Sequence, residues 1–316
     1  MTTDLPTALS NVTPTFTSHF TDVNPAIRLH CMQAGRVDAP PMVLLHGFPE
    51  YWAAYKDVMP LLAQNYRVIA PDLRGFNLSS KPEGARAYAA KYLVADILGL
   101  IQARCSGEKP VLVAHDWGGA VAWNLAAQYP DAISHLVIIN SPHPYTFWRD
   151  LRDDPVQQAA SAYMNWLRKP GCEAALAEND FARLESFFLN MNGASWFDAQ
   201  TRAGYHAAWG QAGALTGGCN YYRASPLHPP EEGAPGAAGF VLDPAPFCVS
   251  IPTLILWGEK DIALPIKLIE GLEPMIDDLT IQRFKDGSHW LLHEQPQEVV
   301  HAIEAWLNRT IGGSKT

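Results

Sequence analysis

An aspartate at a strand-to-helix junction is the most reactive arrangement in the sequence. The apolar run 111–114 leads into His115, Asp116 and Trp117, and two glycines follow. This pattern is typical of a nucleophile elbow, a sharp turn that exposes a nucleophile and directs the next backbone N–H toward a developing oxyanion. Aspartate here takes the place of the usual serine. Asp116 alone fits a helix N-cap equally well, so the assignment depends on partner residues elsewhere.

Two later residues supply the acid and the base that an elbow nucleophile requires. Asp261 follows one apolar run, and His289 follows the next. The elbow motif is found with its partners in the order nucleophile, acid, base. A lone aspartate beside Lys260 is more often a solvated loop carboxylate, and a lone histidine is more often a capping or packing residue. The three together, in this order and after strands, predict a triad of Asp116, Asp261 and His289.

A loop after an earlier strand offers a second oxyanion donor. The segment 46–49, His-Gly-Phe-Pro, follows the apolar run 42–45. We expect the backbone N–H of Phe48 to act beside that of Trp117. The bond before Pro49 is a candidate cis peptide. Gly-x-Pro alone also fits an ordinary strand-exit turn.

Alternating strands and helices are needed to bring these residues together. The pattern of apolar residues predicts such an alternation. Runs rich in Val, Ile and Leu without alternation indicate parallel strands buried on both faces, as in repeated βαβ units. The predicted strands are 42–45, 67–70, 111–114, 136–139, 253–257 and 280–284, after a candidate antiparallel hairpin at 15–22 and 27–33. The predicted helices of this part are 51–63, 88–103, 118–128, 265–271 and 296–306.

The alternation stops in the middle of the chain. From about residue 142 to 250 no buried strand is evident, and a Pro/Gly-rich stretch at 225–249 reads as an irregular return loop. The helices predicted for this region are 157–167, 172–179, 181–190 and 198–209. We therefore expect an α/β core at 1–142 and 251–316, with a mostly parallel sheet flanked by helices, and an inserted helical cap at 143–250.

Composition excludes several classes of function. The 316 residues are 48% hydrophobic with a net charge of −9, which argues against nucleic acid or an anionic membrane as the partner. The apolar runs are too short to span a bilayer, and residues 1–16 lack the pattern of a signal peptide. Five scattered cysteines without metal-binding spacing favour a reducing, cytoplasmic compartment. No metal or organic cofactor is implied, and the oligomeric state stays open, a homodimer included.

Five motifs together resemble the epoxide-hydrolase branch of the α/β-hydrolase superfamily. They are HGFPEYW at 46–52, DLRGFNLSSKP at 72–82, AHDWGG at 114–119, WGEKD at 257–261 and GSHW at 287–290. The resemblance covers nearly all of residues 20–310. It implies an α/β-hydrolase fold with a carboxylate nucleophile. The same branch contains haloalkane and fluoroacetate dehalogenases, so these motifs do not choose among the activities.

The insertion favours epoxides. The segment from Tyr163 to a Pro-Gly pair, and the segment 220–223, Asn-Tyr-Tyr-Arg, resemble the two family segments whose tyrosines hold the epoxide oxygen. The resemblance implies that Tyr163 and Tyr222 have this role, with Tyr221 as the alternative to Tyr222. An isolated tyrosine would more often be a packing or surface residue.

Other positions depart from the dehalogenase patterns. No arginine follows the nucleophile to hold a haloacid carboxylate, Phe48 stands where many haloalkane dehalogenases have Asn, and Asn140 stands where some place the triad acid. Asn77 replaces a common glycine, and Asn tolerates the left-handed region. We expect a small hydrophobic substrate bound by His46, Trp117, Trp166 and Trp290.

The chemistry fits an epoxide hydrolase that forms a vicinal diol through an ester on Asp116. A carboxylate is ionised at neutral pH and attacks carbon without a base, whereas water needs His289, oriented by Asp261, to hydrolyse the ester. A phenol stays protonated and can donate to the alkoxide formed by ring opening. The alternatives are a haloalkane or haloacid dehalogenase with the same triad and, from another class, a non-catalytic receptor on this fold.

Overall fold

An eight-stranded sheet forms the centre of the protein in the computed structural model, which describes residues 15–191 and 194–312. The order across the sheet is β1-β2-β4-β3-β5-β6-β7-β8. The strands are β1 Thr17–Asn24, β2 Ile27–Ala34, β3 Pro41–Leu45, β4 Arg67–Pro71, β5 Val111–His115, β6 His135–Ile139, β7 Thr253–Gly258 and β8 Leu279–Phe284. The predicted strands are therefore confirmed, although residues 1–14, most of the segment judged to lack a signal peptide, lie outside the described residues.

Burial explains the direction of the strands. Strands β3 to β8 pair in parallel, and every residue of β3, β4, β5 and β7 is buried, as expected for strands covered by helices on both faces. β1 and β2 form the predicted antiparallel hairpin, and β2 pairs antiparallel with β4. The alternating side chains of the central strands divide between two hydrophobic clusters, one on each face of the sheet.

Helices cover both faces of the sheet. One cluster includes α2 (Ala90–Arg104) and α3 (Trp117–Gln128). The other includes α1 (Met59–Leu62), α10 (Leu291–Glu294) and α11 (Pro296–Gly312). This is the α/β-hydrolase arrangement that the sequence predicts.

Two predicted helices of the core are wrong, and the helix predicted at 157–167 in the inserted region is divided into two helices at Ser161. Residues 51–63 form a 3₁₀ turn at Trp52–Tyr55 and the short α1 in place of one helix. Pro60 explains the break, because a proline inside a helix clashes with the carbonyl four residues earlier and fits only in the first turn. The predicted helix at 265–271 is only a 3₁₀ turn at Ile266–Ile269.

The cap segment, which we define as residues 143–250, contains six helices among its described residues. They are α4 Pro144–Asp153, α5 Pro155–Ala160, α6 Ala162–Arg168, α7 Cys172–Leu189, α8 Ala199–Trp209 and α9 Ala214–Ala224. The predicted break between residues 179 and 181 is confirmed, since α7 has left-handed backbone there. Helices α4 and α9 were not predicted. The boundaries of the cap at 142/143 and 250/251 stay a prediction.

Helix α9 was not predicted because it contains two glycines, and glycine disfavours helices. Both are needed for packing. A Cβ on Gly217 would lie 2.3 Å from the carbonyl oxygen of Gly75, and one on Gly218 would lie 2.9 Å from the ring of Phe48. Helix α9 therefore packs closely onto the core. In the described ranges, no helix combines the length and apolar character needed to cross a bilayer.

Candidate active site

The turn between β5 and α3 has the sharp geometry of an elbow. Asp116 has φ 49° and ψ −120°, a region that residues with a side chain rarely adopt. The following glycines make the turn possible. A Cβ on Gly118 would lie 2.3 Å from the carbonyl oxygen of Leu45, and one on Gly119 would lie 2.3 Å from Cβ of Ser141. Neighbouring backbone and side-chain atoms thus leave no room for a side chain at either position, so both residues must be glycine.

The side chain of Asp116 turns away from its own helix. Within the described residues, no backbone N–H in the first turn of α3 donates to this side chain, so Asp116 is not a simple N-cap. The backbone N–H of Phe48 donates to Asp116 Oδ1 at 2.8 Å. The Phe48–Pro49 peptide is cis, as expected. Trp117 is the first residue of α3, where a backbone N–H has no acceptor within the helix.

Asp116, Asp261 and His289 lie together at the carboxyl ends of β5, β7 and β8. His289 Nδ1 is 2.7 Å from Asp261 Oδ2, and its Nε2 is 3.7 Å from Asp116 Oδ2. Asp261 Oδ1 accepts from the backbone N–H groups of Ala263 and Leu264 at 2.9 and 2.8 Å. The acid is therefore held rigidly behind the histidine, and the histidine faces the aspartate of the elbow.

The carboxylates control the protonation of His289. Burial lowers its pKa, but the charge and hydrogen bond of Asp261, followed by the charge of Asp116, outweigh burial and raise the pKa to about 9. The protonated form of the imidazole is thus favoured at neutral pH. Loss of the Asp116 charge would remove one cause of the high pKa.

Two phenols of the cap segment face the elbow. Tyr163 lies on α6 and Tyr222 on α9, with ring centroids 6.1 Å apart. The Tyr222 ring also meets the rings of Phe48 and Trp117 edge-on, at 5.3 and 5.1 Å. The ring of Tyr221 also lines the first cavity, but its hydroxyl points elsewhere and donates to the backbone oxygen of Arg74 at 2.9 Å.

Both phenols are held in the neutral form. Burial is the largest cause that raises the pKa of Tyr163, and the charge of Asp116 adds to it. Burial likewise raises the pKa of Tyr222 well above its ordinary value, with further contributions from Tyr163 and Asp116. Two uncharged O–H donors therefore lie within the electrostatic influence of the elbow carboxylate.

Two cavities meet at Asp116, Tyr163 and Tyr222, which line both of them. The first has a volume of about 300 Å³, and the second has a volume of about 360 Å³. Carbon-rich side chains dominate the first wall: Leu93, Val121, Phe147, Leu227, Phe240, Leu242, Phe247 and Leu264. The second lies on the side of His289. Substrate-sized space therefore extends from the elbow in two directions.

Two of the residues expected to bind substrate line neither cavity. His46 is fully buried, its Nε2 accepts from the backbone N–H of Leu73 at 2.9 Å, and its Nδ1 is 2.8 Å from the oxygen of Gly47. It thus supports the loop that carries Phe48. Trp166 packs under the guanidinium of Arg183 at 4.7 Å.

The other two predicted binding residues do lie at the cavities. Trp117 lines the first cavity, and Trp290 lines the second. Trp290 also donates to the backbone oxygen of Phe187 at 3.0 Å, which joins the base-bearing loop to the cap segment.

Sequence reasoning missed residues that hold the site in place. Asn140 donates to Asp261 Oδ2 at 2.8 Å and accepts from the N–H of Gly258 at 2.9 Å. Ser141 donates to the backbone oxygen of Asp116 at 2.6 Å. Asn140 follows β6, the neighbour of β7, and that strand-end position was the available signal.

A buried carboxylate lies behind His289. Glu50 accepts from Tyr205 and His293, both at 2.7 Å, and lies 3.3 Å from His115 Nδ1. The Nε2 of His115 is in turn 2.9 Å from the backbone oxygen of His289. Glu50 belongs to the HGFPEYW motif, but nothing in the spacing indicates its partners.

Comparison with known proteins agrees with the geometry. Residues 40–296 match the α/β-hydrolase fold family. The chain is 38% identical over 283 residues to AB hydrolase superfamily protein YfhM of Bacillus subtilis, covering 89% of this chain and 94% of that protein. It is 32% identical over 293 residues to epoxide hydrolase 4 of Mus musculus, covering 89% and 76%.

Solved structures give the same result. An epoxide hydrolase of Bacillus megaterium in complex with an inhibitor superposes with a TM-score of 0.82 and 31% identity, covering 92% of this chain and 100% of the other. A structure reported for novel epoxide hydrolases in metagenomes from hot environments superposes with a TM-score of 0.83 and 35% identity, covering 93% and 99%. The chain therefore belongs to the α/β-hydrolase family, within its epoxide-hydrolase branch, and is a hydrolase.

Proposed function

We propose that the protein converts an epoxide and water to a vicinal diol through a covalent alkyl ester on Asp116. The observation that carries this proposal is a pair of neutral phenols, the partly buried Tyr163 and the buried Tyr222, that share both cavities with the carboxylate. Opening an epoxide leaves charge on an oxygen that stays attached to the substrate. A protonated phenol next to that oxygen can stabilise and then protonate it.

In the first step, Asp116 attacks an epoxide carbon. Its Oδ1 is engaged by the N–H of Phe48, so Oδ2 is the oxygen available to form the bond. The C–O bond of the ring breaks, and the electron pair moves to the epoxide oxygen, which Tyr163 and Tyr222 hold. One phenol supplies the proton. The step ends as an ester of Asp116 and a free hydroxyl on the substrate.

In the second step, water hydrolyses the ester. Esterification removes the Asp116 charge, one cause of the high pKa of His289, so the imidazole passes its proton to the phenolate left by ring opening and can then act as base. Water attacks the ester carbonyl carbon while His289 takes a proton and Asp261 stabilises the imidazolium. The developing oxyanion is held by the backbone N–H groups of Phe48 and Trp117. Collapse of the intermediate breaks the ester bond, and the departing alkoxide takes the proton of the imidazolium to complete the diol. The new Asp116 carboxyl then gives its proton to His289, which restores the carboxylate and the protonated histidine.

The shape of the site supports an apolar substrate with substituents on both sides of the epoxide. One cavity extends from Asp116 along a wall of aliphatic and phenyl groups, and the other extends toward His289 and Trp290. A chain or ring on each epoxide carbon would occupy one cavity each. Reaction in a cytoplasmic compartment and assembly as a homodimer stay predictions.

The test compares substrates and tyrosine variants. The parent protein is assayed with styrene-type and aliphatic epoxides beside 1-haloalkanes and fluoroacetate. Tyr163→Phe and Tyr222→Phe should each slow alkylation of Asp116, and the double variant should lose about 10²–10⁴-fold in rate. Ester hydrolysis should be largely unchanged.

Tyr221→Phe is the matched control. Tyr221 neighbours Tyr222 on the same helix but bonds to the backbone of Arg74, so its variant should open epoxides at near the parent rate. A double variant that retained parental rates would remove the phenols from the mechanism. Halide release from haloalkanes without any epoxide turnover would make the protein a dehalogenase.

A further inference from the structure

Two cysteines meet between helices of the cap segment, apart from the catalytic groups. The Sγ atoms of Cys172, the first residue of α7, and Cys219, in α9, are 3.2 Å apart. Their residues are 4% and 0% exposed. All five cysteines of the chain lie in the described ranges and are free thiols. We propose that Cys172 and Cys219 are an oxidisable pair that forms a reversible disulfide between α7 and α9.

The distance suits bond formation. An S–S bond is about 2.05 Å long, so the two sulfurs need to approach by only about 1.2 Å. The cysteines are 47 positions apart in the sequence, and the tertiary structure alone brings them together. Cys248 is exposed, and Cys31 and Cys105 are buried elsewhere in the core.

The two thiols have different access to an oxidant. Cys172 follows a turn whose residues 169–171 are all exposed, whereas Cys219 is fully buried. The guanidinium of Arg223 lies 3.4 Å from Cys172 Sγ, and a positive charge at this distance stabilises a thiolate. Burial, the largest cause, raises the pKa of both thiols, and Arg223 opposes it. Cys172 is therefore the thiol that reacts first, and Cys219 is the thiol that resolves it.

Hydrogen peroxide is sufficient as the oxidant. The Cys172 thiolate attacks one peroxide oxygen, breaks the O–O bond and becomes a sulfenic acid as hydroxide leaves. The Cys219 sulfur then attacks the sulfenic sulfur, and the hydroxyl group leaves as water with the thiol proton. In total, two thiols and one peroxide give one disulfide and two waters. A dithiol reductant reverses the bond by exchange.

The same place contains the one group of Cys, His, Asp or Glu ligands within the described part of the chain that is close enough to share a metal ion: Cys172, Glu173 and Cys219. Arg223 makes a cation there unfavourable. Its Nη1 and Nη2 already bind the two carboxylate oxygens of Glu173 at 2.5 and 3.0 Å. A divalent ion would have to displace or tolerate this fixed positive charge, so oxidation is the chemistry that the site favours.

The disulfide would connect the helices that carry both phenols. Cys172 begins α7 directly after the turn that ends α6, the helix of Tyr163. Cys219 precedes Tyr222 by three residues on α9. The bond would therefore restrict motion of α6 relative to α9, and with it the separation of the two tyrosines.

The experiment treats the full protein with hydrogen peroxide in a Cys248→Ser background, which removes the exposed thiol. Intact mass should fall by two hydrogen atoms, and peptide mapping after alkylation should join the peptides of Cys172 and Cys219. The oxidised form should melt about 3–6 °C higher than the form treated with dithiothreitol. Cys172→Ser and Cys219→Ala should each abolish both the mass loss and the shift.

Three results would overturn the proposal. Both thiols could stay available to alkylation after unfolding of the peroxide-treated protein. Oxygen could be added to one sulfur without a crosslink. A zinc ion could be retained in native mass spectra of the untreated protein and lost from both cysteine variants, which would assign the group to a metal instead.

Discussion

At the scale of single residues, the proposed carboxylate nucleophile would divide the reaction into two steps with different needs. An ionised Asp116 would need no base to attack, and its Oδ1 already accepts a hydrogen bond from one proposed oxyanion donor, the N–H of Phe48, at 2.8 Å. His289 Nε2 lies 3.7 Å from Asp116 Oδ2, which is beyond hydrogen-bond distance, so the histidine does not tie up the attacking oxygen. This geometry supports the proposal that the histidine acts in the second step.

His289→Gln should therefore trap the intermediate. The variant keeps Asp116 and both phenols, so alkylation proceeds, but no base activates water. Intact-protein mass spectrometry should show the parent mass plus one epoxide, accumulating stoichiometrically within one turnover. Asp116→Asn, treated in the same way, is the control and should gain no mass. An inactive His289→Gln protein that is never alkylated would contradict this division of labour.

The residue types in the sequence predicted the reacting groups better than they predicted the residues that hold those groups in place. The triad residues each lie in the segment that follows a strand, and strand ends meet at one edge of a parallel sheet, so their meeting was predictable. Glu50 acts through hydrogen bonds to partners far away in the sequence, which local spacing does not indicate, whereas Asn140 shows only its position at the end of a strand. The opposite error concerns His46 and Trp166, which were expected to bind substrate but line neither cavity. The presence of an aromatic residue near a motif does not determine which way its ring points.

At the scale of elements, close packing sets the position of the nucleophile. Helix α3 approaches β3 so closely that only a hydrogen fits at Gly118, where a Cβ would meet two backbone oxygens at 2.3 and 2.6 Å. Backbone atoms of a central strand cannot shift without disturbing the sheet. The elbow is therefore stable only with a glycine at this position.

Gly118→Ala should lower the free energy of unfolding by about 3 kcal/mol, at the upper end of the usual overpacking range. Urea unfolding followed by circular dichroism measures it. The control is Gly210→Ala, at the end of α8, where φ is −72° and a new Cβ would lie 3.1 Å from the backbone oxygen of His206. Its effect should stay within about 1 kcal/mol. Equal effects of the two substitutions would show that contact with β3 does not constrain the elbow.

The secondary structure was predictable where nearly every residue of an element is buried. The central strands are apolar throughout and leave little choice of structure, whereas short helices depend on local breakers and on contacts made later. Pro60 divides one predicted helix, and Gly217 conceals another because its packing against Gly75 compensates for its low helix propensity.

At the scale of the whole molecule, Glu50 connects three parts of the chain. It accepts hydrogen bonds from Tyr205 in the cap segment and from His293 after the base-bearing loop, both at 2.7 Å. Burial alone would raise the pKa of this carboxyl, but His293 and His115 outweigh burial and hold the pKa far below its usual 4.5. The folded protein therefore contains a buried carboxylate that stabilises it only when ionised.

Glu50→Gln should cost about 3–5 kcal/mol of unfolding free energy at pH 7, since it removes one partner of a buried charged group. The depressed pKa sets the pH dependence: the contribution of Glu50 is complete above its unfolded value of 4.5 and is lost as pH falls below it. The difference between parent and variant should therefore shrink from pH 7 to pH 3.5 in urea titrations.

The matched control for Glu50 is Asp38→Asn, because Asp38 forms an exposed ion pair with Arg36 at 2.6 Å. An exposed pair contributes at most about 1 kcal/mol, so this variant should stay close to the parent at every pH. If Glu50→Gln were no less stable than Asp38→Asn at pH 7, the buried cluster would not be what joins the cap segment to the core.

The covalent ester on Asp116 is the central claim, and a single turnover in water enriched in oxygen-18 tests it most directly. With enzyme in excess over a styrene-type epoxide, the diol should contain only ordinary oxygen, because its new hydroxyl comes from Asp116 Oδ2. The heavy oxygen should appear in the peptide that contains Asp116 after proteolysis and mass spectrometry. Heavy oxygen in the first diol released, with none in that peptide, would mean that water attacks the epoxide directly and would contradict the account.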